Sequence, residues 1–226
     1  MDESTNPYAV GAAVVEDVGP ERRLNPWLSI WTKPRRTMRQ ILDDDPERLV
    51  LVLAALGGIS QALDNASTRS AADHLSLLAV LAGAVALGAV GGIVGLYVSA
   101  VVLRVTGSWL GGTASSRELR AALAWPNVLT AWALLLWIPE LLLFGRELFT
   151  TEMPRTDASL PLTVTFFCFA FVEIVIAIWS VVVVVKCVAE AQRFSAWRAL
   201  GSICVAIAFV LGVLLAILVP FLLLAR

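Results

Sequence analysis

The sequence predicts an all-α fold: a polytopic membrane bundle of five transmembrane helices, preceded by an amphipathic interfacial helix on the cytoplasmic side. Two observations predict it. Five long apolar stretches are separated by short polar connectors, and the 226-residue chain is 58% hydrophobic and only 15% charged. A helix needs about 20 mostly apolar residues to cross the hydrocarbon layer of a bilayer. Such a composition suits a helical membrane protein better than a soluble domain.

The chain starts with a polar segment, residues 1–24, that has too few apolar residues to build a core. We expect this segment to be a disordered cytoplasmic tail. The first long apolar run begins only near Leu49. Because that position is too late for the apolar region of a cleaved signal peptide, no signal peptide is expected.

Residues 25–45 are predicted to form the amphipathic interfacial segment. Asn25 is expected to cap a helix that Pro26 opens, and Pro34 to divide the segment into two short helices. Tryptophans beside basic side chains suit the interface of an anionic leaflet. A solvated helix docked on the cytoplasmic face of the bundle is the alternative. The predicted membrane-interface residues are Trp27, Trp31, Lys33, Arg35, Arg36 and Arg39.

The membrane domain is predicted over residues 46–226. Asp45 is expected to cap its first span, and Pro46 to open it. Because this span is short and contains Gln61, it should lean on its neighbours, and whether it crosses the bilayer fully stays open. The five spans are predicted at about 47–63, 75–103, 117–144, 160–186 and 196–224.

The second span contains two small-residue motifs, Gly88-xxx-Gly92 and Gly91-xxx-Gly95. Glycines allow helix backbones to approach closely, and this packing replaces the hydrophobic driving force that is absent in lipid. The motifs therefore indicate helix packing. They form either a dimer face or, as we favour, a contact inside the monomer.

Local signals mark the remaining spans. A connector is expected from Arg104 to Ser116, and Ser115 and Glu118 have the spacing of a capping box before the third helix. Pro126 predicts a kink inside that helix, because proline removes one backbone hydrogen bond. Ser195 is expected to cap the fifth span.

Basic residues near the ends of the spans predict the orientation. The tail, the interfacial segment, and the second and fourth connectors contain 13 Lys and Arg residues, whereas the opposite side contains four. We therefore predict a cytoplasmic N-terminus and a C-terminus outside the cytoplasm. The heavy use of Ala, Val and Leu, and of Arg over Lys, is typical of a high-GC bacterium. The predicted location is the bacterial cytoplasmic (inner) membrane.

Glu173 is the sharpest single candidate, because it lies within the fourth apolar stretch. Ionisable side chains inside spans are costly and usually face protein or a water-filled cavity. Glu173 could hold a proton or a cation. It could equally make a structural hydrogen bond to Asn127, to Gln61 or to a kinked backbone. The intramembrane polar candidates are Glu173, Asn127, Pro126 and Gln61.

Several function classes are not indicated by the sequence. It contains three cysteines and one histidine without metal-ligand spacing, so no metal site and no cofactor are predicted. No protease, P-loop or dinucleotide-binding motif is present, so we expect no enzymatic activity. A net charge of −1 gives no indication of nucleic-acid binding. Asp64, Asp73 and His74 share one connector, where a solvated loop explains them.

Three groups of residues form a wider pattern. They are Asn25-Pro26-Trp27, Trp31 and Pro34-Arg35; Gly107, Gly111-Gly112, Ser116, Leu119, Ala121 and Pro126; and Lys186, Glu190, Phe194-Ser195 and Arg198-Ala199-Leu200. With the five spans, this pattern resembles bacterial members of the Ypt-interacting protein (Yip) domain family, over about residues 25–224. The resemblance implies a non-enzymatic integral membrane protein.

The family's eukaryotic members are linked to small Rab-type GTPases and have an Asp-Leu-x-Gly-Pro motif before the first span. This chain has Asp43-Asp44-Asp45-Pro46 there instead, so GTPase binding is not carried over. We expect a role in membrane organisation or as a partner scaffold. The expected partners are the lipid bilayer with anionic headgroups on the cytoplasmic side, and a second copy of the chain or other membrane proteins. The alternative is a small transporter or channel that uses Glu173.

Overall fold

The computed structural model describes residues 23–224, with side chains to residue 219. The predicted tail lies outside this range except for its last two residues. The described chain is all-helical, which confirms the predicted fold class, and has two short 3₁₀ turns at Ala71–Asp73 and Gly145–Phe149. The helices are α1 (Pro26–Thr32), α2 (Pro34–Asp44), α3 (Val50–Thr68), α4 (Leu77–Trp109), α5 (Ser116–Ala124), α6 (Asn127–Ala133), α7 (Trp137–Leu143), α8 (Pro154–Asp157), α9 (Leu160–Ala191) and α10 (Ala196–Leu224).

Five apolar segments of the described chain are long enough to cross a membrane. They are α3, α4, the segment Ser116–Leu143 that contains α5 to α7, α9, and α10 as far as Val219. Large apolar side chains along them are exposed, such as Leu87 at 76% and Leu142 at 82%. Water-soluble proteins rarely expose continuous apolar surface of this extent. The chain is therefore a multi-pass membrane protein.

The N-terminal helices form as predicted. The Asn25 side chain accepts a hydrogen bond from the Trp27 backbone N–H at 3.1 Å. Pro34 opens α2 directly after the end of α1, so the segment is divided there. Met38 and Ile41 are buried, and α2 packs on α9 and α5. The apolar side of α2 thus faces the bundle, which is the arrangement of the docked-helix alternative.

The first span begins later than predicted. The expectation that Pro46 opens it is wrong, because residues 46–49 form a turn and the helix starts at Val50. Asp45 caps this turn instead, accepting the Glu47 N–H at 3.0 Å. Leu49, with a φ of 59°, lies in the left-handed region and redirects the chain between the turn and the helix.

The same span also ends later, at Thr68 rather than near residue 63. Its last turn packs against the 3₁₀ turn 145–149, and the Ser67 hydroxyl donates to the Leu148 carbonyl at 2.6 Å. Asp64 therefore lies in α3, and its assignment to a solvated connector is wrong.

α4 and α9 also extend further than predicted, both at the same end of the bundle. α4 continues to Trp109, although a connector was expected from Arg104, and α9 continues to Ala191. The buried side chain of Gln192 lies against Gly107, where a Cβ atom would stand 2.5 Å from the Gln192 Nε2. The absence of a side chain at Gly107 thus allows the two helix ends to pack together.

The third span is three helices rather than one kinked helix. The helix ends at Ala124 and resumes at Asn127, so it is interrupted at Pro126, where a kink was predicted. A second interruption at residues 134–136 was not predicted. It precedes Pro139, which has no N–H to bond the Leu135 carbonyl and whose ring would clash with it. The chain tightens there into i→i+3 hydrogen bonds, and α7 places Pro139 in its first turn.

The connectors gather at two opposite ends, as expected for five alternating spans. The end formed by α1, α2 and the connectors 110–115 and 192–195 is called the basic end. There Arg35 donates to the Phe194 carbonyl, and Arg198 to the Leu110 carbonyl. The end formed by the two 3₁₀ turns and α8 is called the distal end. There Arg146 donates to the Ala72 carbonyl.

α3 and α4 form the most extensive helix contact in the described chain, and glycine makes it close. A Cβ atom on Gly58 would lie 2.6 Å from the Gly92 Cα, and one on Gly88 would lie 3.0 Å from the Ile59 Cα. The first glycine motif is therefore an internal packing contact. Gly91 and Gly95 have no atom within 4 Å of such a Cβ, so the second motif makes no packing contact within the described chain.

We expect Gly92→Ala to destabilise the bundle and Gly91→Ala not to. The new methyl group at residue 92 would lie 2.7 Å from the Gly58 Cα, and overpacking of this kind costs about 1–3 kcal/mol. Thermal unfolding in detergent should show a lower Tm for Gly92→Ala alone. Equal melting temperatures for the two variants would contradict the packing described for α3 and α4.

Candidate functional site

The basic end concentrates the positive charge of the described chain. Its basic residues are exposed except for Arg120 and Lys186, which are partly buried. The elements that position them are α2, the turn before α3, the ends of α4 and α9, and the starts of α5 and α10. The residues are Lys33, Arg35, Arg36, Arg39, Arg48, Arg104, Arg117, Arg120, Lys186, Arg193 and Arg198.

Two contacts fix α2 to the end of α9. The Arg39 guanidinium forms a salt bridge with the Glu190 carboxylate, with Nε at 2.7 Å and Nη2 at 2.5 Å from the same oxygen. Arg35 donates to the Phe194 carbonyl at 3.3 Å. The Glu190 side chain is only 13% exposed, whereas the Arg39 side chain is 71% exposed, so the carboxylate alone is shielded from water. The predicted interface helix is therefore held in place by its own arginines.

Glu47 joins the turn before α3 to the start of α5. Its carboxylate accepts from Arg117 at 3.0 Å and from Arg120 at 2.7 Å. The Arg117 hydrogen bond, together with that from Arg120, lowers the pKa of Glu47 to about 2. The Arg120 guanidinium also lies 5.0 Å from the centre of the Tyr97 ring on α4. Glu47 thus links the turn before α3 to α5, and Arg120 extends this contact to α4.

Indole rings accompany these charges. Trp109 and Trp197 are 61% and 82% exposed at the end of α4 and the start of α10. The Trp179 indole N–H donates to the Trp31 carbonyl at 3.0 Å, and Trp27 and Trp31 are half-buried against the core. Tryptophan is enriched where apolar helices meet the headgroup region. The arrangement has the chemistry of a membrane–water interface.

Gln192 is a basic-end residue that sequence reasoning missed. It is 2% exposed, and its Nε2 donates to the Leu103 carbonyl at 3.3 Å. Its oxygen has no hydrogen-bond partner in the described chain. A glutamine directly after an apolar helix indicates a solvent-exposed connector. Only its position over Gly107 shows that it bridges α9 and α4.

The intramembrane candidates divide into two places. Asn127 and Gln61 line an open groove of about 820 Å³ along α3 and α4, together with Gly91 and Gly95. The Asn127 amide packs over Gly57, where a Cβ atom would lie 2.7 Å from its Cγ. Buried Pro126 precedes this amide in the chain and, by interrupting the helix, places it at the start of α6.

Glu173 lies elsewhere, in a cavity of about 190 Å³ toward the distal end. It makes no hydrogen bond to Asn127 or Gln61 among the described residues, so the structural partners suggested for it are not found there. Asp64 and Glu140 line the same cavity, which is called the acidic cavity. Its complete lining is Asp64, Ser67, Thr68, Trp137, Glu140, Leu148, Phe166, Phe169, Ala170 and Glu173.

Glu140 is the most buried carboxylate of this cavity and was not a predicted candidate. Glu140 is only 4% exposed, and its Oε1 has no hydrogen-bond partner in the described chain. The sequence signal was available, since Glu140 follows Pro139 inside an apolar stretch. The interruption before Pro139 sets the orientation of α7, and Glu140 then lies beside α9. The sequence alone does not predict this orientation of α7.

Comparison with known proteins gave one match. A family model described as the Yip1 domain matches residues 28–218, which is most of the chain. Searches among curated proteins and among solved structures returned no match.

We expect Glu47→Gln to remove a pH-dependent part of the stability. A lowered pKa means that Glu47 stabilises the fold fully above its ordinary pKa of about 4.5, and that this contribution is lost as the pH falls toward 2. The difference in Tm between wild type and Glu47→Gln should therefore be positive near neutral pH and shrink through this window. The matched control is Glu152→Gln, which removes an exposed carboxylate at the distal end. A constant difference for Glu47→Gln across the window would refute the linkage.

Proposed function

This chain belongs to the Yip1 domain family, and from that premise we propose a non-enzymatic membrane protein that binds anionic lipid headgroups at its basic end. It would act there in membrane organisation or as a scaffold for partner proteins. The observation that supports the proposal best is the basic end itself, which combines arginines and lysines with exposed indole rings.

The charges of the basic end suit a lipid surface. A basic side chain close to an anionic leaflet contributes roughly 1 kcal/mol to binding. Lys33 and Arg193 are exposed, and neither forms an ion pair within the described chain. Since Arg35 and Arg39 hold α2 against α9, binding would order little additional chain and would lose little entropy.

The charge asymmetry also supports an orientation. Cytoplasmic segments of membrane proteins are enriched in Lys and Arg. We therefore infer that the basic end faces the cytoplasm, with the N-terminus on that side and the C-terminus on the other. The bacterial inner membrane is the membrane that the composition favours.

A scaffold needs a surface for a partner, and α4 offers one. Gly91 and Gly95 lie on α4 with open space beside them, next to the groove that Gln61 and Asn127 line. Small residues in this arrangement permit a second helix to approach. A second copy of the chain or another membrane protein is the proposed occupant.

The lipid proposal predicts a charge-specific loss of bound lipid. Full-length protein is purified from bilayers of phosphatidylglycerol and phosphatidylcholine, and retained lipids are counted by native mass spectrometry. Lys33→Gln combined with Arg193→Gln should weaken phosphatidylglycerol retention about 30-fold. Arg69→Gln combined with Arg155→Gln removes two positive charges from the distal side and should leave retention unchanged. Equal losses in both double variants, or no preference for the anionic lipid, would count against the proposal.

Transport is the second candidate, and the acidic cavity is the observation that favours it. Glu173 is half-buried there beside Glu140, within the membrane-spanning part of the chain. A transporter that moves a proton or cation through this cavity should show flux in proteoliposomes, and Glu173→Gln should abolish it. The absence of flux for wild-type protein across a set of monovalent cations and protons would remove this candidate.

A further inference from the structure

The acidic cavity has a composition that demands a positive charge. Asp64, Glu140 and Glu173 line it, and no lining residue is basic. The three carboxyl groups interact electrostatically with one another. Like charges gathered in a partly desolvated site disfavour each other, and a buried charge without a partner is costly. Either protonation or a bound cation must therefore reduce the charge of this cavity.

Glu140 shows where that positive charge would sit. It lines the cavity, is 4% exposed, and has a buried Oε1 without a hydrogen-bond donor in the described chain. Buried polar atoms are normally partnered. Asp64 and Thr68, by contrast, are exposed, and Glu173 is half-buried. Glu140 thus forms the inner wall of a cavity that is reached past the exposed side chains of α3.

The hydroxyl groups of the cavity add acceptors rather than donors. The Ser67 hydroxyl donates its proton to the Leu148 carbonyl at 2.6 Å, and the Thr68 hydroxyl donates to the Asp64 carbonyl at 2.8 Å. Each oxygen keeps lone pairs for a ligand. Asp64, Ser67 and Thr68 also lie in the last turns of α3, where the negative end of the helix dipole favours a cation.

The aromatic walls favour an organic cation over a metal ion. Trp137, Phe166 and Phe169 line the cavity beside the carboxylates. Aromatic faces attract ammonium groups, with tryptophan the strongest. A metal such as Ca²⁺ takes six to eight oxygen ligands, and no group of three or more metal-binding side chains within the described residues could hold one.

We propose that the acidic cavity binds a small primary ammonium group, with Glu140 as its principal counter-charge, Glu173 and Asp64 as its further carboxylates, and Trp137 as an aromatic wall. The cavity volume of about 190 Å³ is about six times the volume that one molecule occupies in liquid water. It accommodates an ammonium group with a short carbon chain. The source is either a free amine or the headgroup of an aminolipid such as phosphatidylethanolamine.

Isothermal titration of the purified full-length protein with ethylammonium chloride tests the proposal. The expected result is saturable binding that Glu140→Gln weakens by about tenfold or more, since it removes a charged hydrogen-bond partner while keeping the shape of the side chain. Glu173→Gln should weaken binding too, and the control Glu152→Gln should not. A thermal melt of each variant confirms that it is folded, and Trp137→Leu provides an independent loss if Glu140→Gln does not fold.

Three results would overturn the proposal: no saturable binding to folded wild type, unchanged affinity in Glu140→Gln, or equal binding of Na⁺ or Ca²⁺ at the same ionic strength. Repeating the titration in nanodiscs with and without phosphatidylethanolamine separates the two sources. If phosphatidylethanolamine competes with ethylammonium, the natural ligand is the lipid headgroup. If it does not compete, the natural ligand is a free amine. Binding in detergent involves no transport and no basic-end residue, so its failure is distinguishable from failure of the lipid or transport proposals.

Discussion

The close approach of α3 and α4 at Gly58, Gly88 and Gly92 is the contact on which the other features depend. α3 has 19 residues and a modest mean hydropathy of 1.2 for a span, so it needs a neighbour to remain in the bilayer. Lipid offers no hydrophobic drive for helix association, and backbone packing through glycines supplies the attraction. Once α3 is fixed, it places Gly57 under the Asn127 amide and Asp64 in the acidic cavity, while the turn before it brings Glu47 to the arginines of α5.

Charged side chains concentrate in two regions of the bundle, and the sign of the charge differs between them. At the basic end, carboxylates such as Glu47 and Glu190 are matched by arginines and leave an excess of positive side chains. Toward the distal end, carboxylates gather in a cavity without a basic side chain. Between these regions lie glycine packing and lipid-facing apolar surface. The two ends are therefore suited to different ligands, an anionic surface at one and a cation at the other.

Helix caps and helix breaks could be predicted from the sequence, whereas contacts between residues distant in the sequence could not. The caps at Asn25 and Ser115 and the divisions at Pro34 and Pro126 depend on residues within four positions, and all were predicted. The start of α3 depends on Glu47 meeting arginines some 70 residues away, and the identity of the glycines could not tell an internal contact from a dimer face. Asp64 was assigned to a loop and Glu140 was not a candidate, because the cavity that they share forms only where α3, α7 and α9 meet.

Arg146 at the distal end makes its contacts outside the acidic cavity. Arg146 lies on the 3₁₀ turn next to the cavity wall, yet its Nε and Nη2 both donate to the Ala72 carbonyl, at 3.2 and 2.5 Å. That bond ties the two 3₁₀ turns together. Glu147, which is nearer in sequence to Arg146, instead accepts from the Thr156 hydroxyl and backbone N–H. Arg146 is committed to closing a loop, and no basic side chain of the described residues lines the cavity. Neutralising Glu140 therefore requires either protons or a cation that the described residues do not supply.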